Sequence, residues 1–140
     1  MRLTHVALWC VVWGATSHNN SFLLRTGKCL MIGCTASFSC APLFDEYAFE
    51  RMRRRHGWSM TTFWLGHIAL HYIPLLFVWT EQVEAVHGFT AAAVHITWYW
   101  TASRGTWRLD DVYVPIDGGV CAWWCLTCLA LVCEMGSVYL

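Results

Sequence analysis

Charge is what this chain has least of. Charged residues make up 13% of its 140 residues, about half the share of an ordinary soluble domain. The nine basic and nine acidic residues cancel to a net charge of zero, so there is no basic footprint for nucleic acid. No internal repeat, low-complexity tract or flexible linker interrupts the sequence, which excludes a solenoid or a string of modules and leaves a single domain over residues 1–140. A metal-ligand pattern is missing too. Cys125 and Cys128 form one C-x-x-C with neither a second pair nor a suitably spaced histidine, and a zinc site needs four ligands. No metal and no cofactor is expected.

What the chain has in abundance is apolar surface. Hydrophobic residues reach 57%, more than a water-soluble protein this short can hide. They fall into five runs: A, Leu3 to Thr16; B, Phe22 to Phe44; C, Ser59 to Thr80; D, Ala85 to Ser103; E, Gly119 to Leu140. Runs B to E approach the roughly 20 residues that cross about 30 Å of hydrocarbon. The expected fold is therefore all-α, a polytopic transmembrane bundle of four or five spans. Run A reads either as a short first span or as a signal peptide, with Arg2 as its basic start and Ala15 and Ser17 as a small-residue exit. All eight cysteines lie within apolar runs and are expected as small core residues.

The loops orient the bundle. With the N-terminus inside, Arg2, Arg51, Arg53, Arg54, Arg55, Arg104 and Arg108 share the cytoplasmic side against Arg25 and Lys28 opposite, a strong positive-inside bias. Asn19-Asn20-Ser21 is a glycosylation triplet on the outer side. Residues 45–58 read as a short surface helix, with Glu50 and Arg54 paired at i,i+4 and the arginines fixing topology or meeting anionic headgroups. Trp58 and Trp79 bracket run C, and Trp123 and Tyr139 lie near the ends of E, as interfacial anchors. Gly33, Ser37 and Ala41 in B, and Gly88 and Ala92 in D, make seams for close helix contact.

Ionisable groups at membrane depth are costly and mark candidate function. Run C places His67 and His71 one turn apart on one face, and Pro74, which removes a backbone donor, loosens the helix one turn later. The short connection around Glu81 to Glu84 makes C and D an antiparallel hairpin. Counting about 1.5 Å per residue outward from it puts His71 and His95 at one depth, facing a shared cavity. His87 falls near the outer mouth, and Glu134 is an acid in the final turns of E. The same count puts Thr4 at the cytoplasmic edge of A, about 18 Å in depth from His71. Such histidines can serve as general base for a hydroxyl nucleophile, bind haem or metal, or hydrogen-bond helix to helix. A two-haem bundle is disfavoured because His87 and His95 do not share a face.

Four local matches carry a family resemblance: Leu3-Thr4 opening an apolar helix; Trp64-Leu65-Gly66-His67 continuing to His71 and Pro74; Gly88-Phe89-Thr90-Ala91 followed by Gly105-Thr106-Trp107 and Tyr113-Val114-Pro115; and Glu134 near the end of the last span. In this order they resemble the androgen-induced and androgen-dependent membrane hydrolases, which cleave fatty-acid esters of hydroxy fatty acids with a threonine and a histidine. The chain lacks that family's first span. The resemblance implies Thr4 as nucleophile and His71 as its base, with His67 in the position of an asparagine. His67, His95 and Glu134 are candidate binding residues.

Two functional expectations follow. One is a lipid-ester hydrolase, or a degenerate relative, embedded in the bilayer. The other is a small non-catalytic subunit that packs against membrane-protein partners through its small-residue faces.

Overall fold

The computed structural model describes residues 3–17, 20–106, 117 and 119–139. Arg2, Asn19, Trp107, Arg108, the Tyr113-Val114-Pro115 stretch and Leu140 lie outside the described residues. Among the described residues every regular element is helical and there is no strand, so the all-α expectation holds.

Run A is helix α1, Leu3–Thr16. Run B is α2, Ser21–Cys40, opened by Asn20, whose side chain accepts the Leu23 N–H at 3.1 Å and so satisfies one of the first-turn donors. Pro42 lies in the 3-10 turn Ala41–Leu43 that ends this segment. The chain then bends by 113° into α3, Ala48–Arg55, the surface helix expected between runs B and C.

Run C is not one helix. It begins as α4, Met60–His67, capped by the Ser59 hydroxyl, which accepts the Thr62 N–H at 3.0 Å. A π turn, Ile68–Tyr72, follows, in which the Ile73 N–H reaches back to the Ile68 carbonyl. Helix α5, Ile73–Phe77, carries the chain on past Pro74. Runs D and E are α6, Ala85–Ala102, and α7, Gly119–Gly136, the latter finishing in the 3-10 turn Ser137–Tyr139.

The core is a helical hairpin with later helices laid on it. Gly14 meets Leu24 and Gly27 meets Val11, so α1 and α2 run antiparallel at close range. Leu3, Ala7, Cys10 and Val11 are buried in this contact. A second cluster joins Ala41 and Ala48 to Tyr99 of α6 and to Trp123 and Leu126 of α7. Between the clusters, α2 packs against both α6 and α7.

Among the described residues one helix, Cys121–Tyr139, is long and apolar enough by itself to cross a membrane. The α2 segment passes only together with α3, as a bent pair, and α1 is apolar but shorter.

Two expectations need correction. Trp123, read as an interfacial anchor, is buried, because it turns inward toward Ala41, Ala48 and Tyr99 and not toward the rim. The cysteines divide: Cys10, Cys29 and Cys34 are core residues, but Cys121, Cys125 and Cys128 are exposed. The last three recur at helical spacing on one outward face of α7, so apolar surroundings in sequence did not mean burial in protein.

Candidate functional site

Several elements deliver a side chain to one place. The antiparallel hairpin sets the first turn of α1 beside the second half of α2, where Thr4 lies next to the Cys34 thiol. The π turn faces the same part of α2: the Thr35 hydroxyl donates to the His71 carbonyl at 3.4 Å. Opposite, α6 contributes His95 and Tyr99. A cavity of about 120 Å³ lies between these helices, and Thr4, Cys34, His71, His95 and Tyr99 are among its walls. Arg55 and His56, from the end of α3, also line it.

The depth count for Thr4 is thereby corrected. It assumed that α1 and run C were straight and began on one plane. Helix α1 instead pairs with α2 so that Thr4 stands at the level of Cys34, and run C is broken at the turn that bears His71. Both residues line a single cavity. His71 and His95 share it, as their common depth predicted.

His67 is buried in an aromatic stack, its ring centroid 3.6 Å from that of Phe38 and 4.4 Å from that of His71. It supports the cavity wall from behind. His87, expected near the outer mouth, caps α6: its Nδ1 accepts the Glu84 N–H at 3.0 Å.

Glu134 is fully buried and lies behind His95, with Oε1 2.5 Å from His95 Nδ1. Two glycines make room for it. A Cβ on Gly33 would stand 2.4 Å from Glu134 Oε1, and one on Gly88 would stand 2.8 Å from the Glu134 carbonyl oxygen. The seam of small residues is thus used within the chain, with Gly33 against α7 and Ser37 and Ala41 lining the cavity. His95 Nε2 and Glu134 Oε2 are buried without a hydrogen-bond partner among the described residues.

A second, wholly different space continues along the same helices. An apolar groove of about 460 Å³ is walled by Leu8, Val11 and Ala15 of α1 and by Pro74, Phe77 and Val78 past the π turn. Thr4, Leu8, Val11 and Ala15 follow one another on one helical face. The cavity and the groove therefore lie along one face of α1.

The charged ends are internally paired. On α3, Arg53 and Arg54 donate to Glu50 at 2.6 and 2.7 Å, and these guanidiniums hold the Glu50 carboxyl down at about 2. Arg51 joins Asp45 to Asp117. At the other end, Lys28 is buried and donates to the carbonyls of Trp79 and Glu81 at 2.8 and 2.9 Å, which occupies acceptors left over where α5 stops.

Sequence reasoning missed Cys34, Phe38, Tyr99 and Trp123 as cavity residues, because apolar and aromatic side chains inside apolar runs carry no local mark. Ser37 was visible as part of the small-residue seam, but not as cavity wall. No family model matches the chain, and no curated protein or solved structure is significantly similar to it.

Proposed function

We propose that this chain is a multi-pass membrane protein of four or five spans that hydrolyses lipid esters, with Thr4 as nucleophile and a cavity imidazole as base. The resemblance noted above assigns the base to His71 and the substrate class to fatty-acid esters of hydroxy fatty acids. The observation that carries the reading is the meeting of Thr4, His71 and His95 in one cavity, with an apolar groove along the same face of α1. A hydroxyl beside imidazole is the minimum for acyl transfer. An ester whose acyl tail lies in the groove would present its carbonyl to those groups.

The membrane part rests on an inverted distribution of polarity. Large apolar side chains face outward around the bundle, Phe77 at 81%, Leu76 at 72% and Phe89 at 63% exposure. The interior holds Lys28, Thr35, His71, His95, Thr127 and Glu134. In water that arrangement wastes apolar area; in hydrocarbon it is the expected one. The arginine-bearing side, with α3, is taken as cytoplasmic from the charge count.

The test uses the full chain purified in detergent, an alkyl fluorophosphonate that phosphorylates activated hydroxyls, and a turnover assay on a branched fatty-acid ester. Wild-type protein should be labelled on Thr4 and should release fatty acid. Thr4→Ala should lose both, and His71→Ala should lose activity by about a hundredfold or more. Absence of labelling and turnover in the wild type, or equal labelling of Thr4→Ala, removes the catalytic reading.

A further inference from the structure

Burying a carboxylate in an apolar bundle is costly even after local relaxation. Here α2 also gives up a side chain, at Gly33, to admit it, and Gly88 lets the backbone of α7 approach α6 at the same residue. The Thr4 and His71 pair makes no use of this acid. Its one hydrogen-bond partner among the described residues is His95 Nδ1, at 2.5 Å.

That contact has a directional consequence. A carboxylate accepting from Nδ1–H fixes the imidazole tautomer and leaves Nε2 as the basic atom. Nε2 has no partner among the described residues, and His95 forms part of the cavity wall that Thr4 also lines. Acid, imidazole and hydroxyl are the three groups of a hydrolytic triad, supplied by α7, α6 and α1; the first two are in contact, and Thr4 lines the cavity with His95 but stands beyond hydrogen-bond distance of Nε2 in the structure without substrate.

We infer that His95, positioned by Glu134, is the proton acceptor for Thr4, so that the cavity holds a Thr4–His95–Glu134 triad in which His71 is a binding group. This inference rests on the hydrolase reading above and refines it. In the first half-reaction the Thr4 hydroxyl oxygen bonds to the ester carbonyl carbon while its proton passes to His95 Nε2. The ester C–O bond then breaks, and the departing alkoxide takes that proton and leaves as the alcohol. Water next attacks the acyl-Thr4 carbonyl and yields its proton to His95 Nε2. The acyl–Thr4 bond breaks, the proton returns to the threonine oxygen, and the fatty acid is released. Throughout, Glu134 Oε1 accepts from His95 Nδ1–H and keeps the charged imidazolium stable while it exists.

A purely structural hydrogen bond between α6 and α7 would look alike at rest, so the test must read chemistry. Purified full chain in detergent is labelled with the alkyl fluorophosphonate over a range of concentrations, giving a maximal rate and a half-saturating concentration for each variant. His95→Ala should lower the maximal rate at least about a hundredfold, and added free imidazole should restore part of it. His71→Ala should not be restored by imidazole. Glu134→Gln keeps the Oε1 acceptor and the shape while removing the charge; it should lower the maximal rate about tenfold or more with an unchanged half-saturating concentration. His95→Asn is run in parallel in case alanine does not fold, with a monodisperse detergent complex required of every variant.

Imidazole rescue of His71→Ala in place of His95→Ala overturns the triad and leaves the hydrolase reading with His71 as its base. A Glu134→Gln protein that is folded and labelled at the wild-type rate overturns it also. If wild-type Thr4 is never labelled, the hydrolase reading fails, and the triad with it.

Discussion

Glu134 can approach His95 only because Gly33 carries no side chain where the carboxylate passes. Adding one methyl there puts carbon within 2.4 Å of Oε1, far inside contact distance, so either the glutamate turns away or α2 and α7 separate. Gly33→Ala should therefore lower stability by about 1–3 kcal/mol, in the range for overpacking a tight contact, read as a fall in the thermal midpoint of the detergent complex. A midpoint equal to wild type would mean the helices are looser at this crossing than described. His95 and Glu134 were each legible in the sequence as ionisable residues in apolar runs. Their pairing was not, because they stand on helices separated by a loop, and no spacing rule fixes the rotation of one helix against the next.

At the level of whole elements, the runs of apolar residues located the helices well: A matches α1 to the residue, D matches α6 within a residue, and E starts with α7 and spans the 3-10 turn that follows it. Run C shows what such runs leave out. Pro74 announced a break, yet the distortion falls on the residues before it, where a carbonyl loses its donor, and the resulting π turn changes the facing of His71. Pro74→Ala returns that donor and permits a regular helix, which would rotate His71 off the cavity. Labelling of Thr4 should then drop by about tenfold or more, with helical content by circular dichroism unchanged; full labelling would show that the turn does not depend on the proline. Helix α3 makes a separate prediction. Its Glu50 carboxyl lies at about 2 against an ordinary 4.5 because Arg53 and Arg54 donate to it. A folded value below the unfolded one means the tether is fully present above about pH 4.5 and is lost as the pH falls through about 2. Carbon-13 titration of the Glu50 carboxyl in micelles should give that low midpoint, and Arg53→Ala should move it upward.

Taken whole, the molecule buries several polar side chains beside its apolar core and leaves many large apolar ones exposed, and the exposed cysteines of α7 can report on the solvent that surrounds it. Cys125 and Cys128 face outward. In intact membranes they should resist a charged, membrane-impermeant maleimide and react once detergent replaces lipid; prompt reaction of both before solubilisation would mean that α7 lies against water. Glu134 also bears on how the protein is made. A helix carrying an ionisable residue partitions less readily into lipid by itself than a wholly apolar one. Because α7 follows α2 and α6 in the chain, the ribosome delivers the acid after the cleft that receives it has already been synthesised. Its entry into the bilayer would then depend on a docking partner already waiting at the translocon, and a chain stripped of His95 should leave more of its last helix stranded outside the membrane.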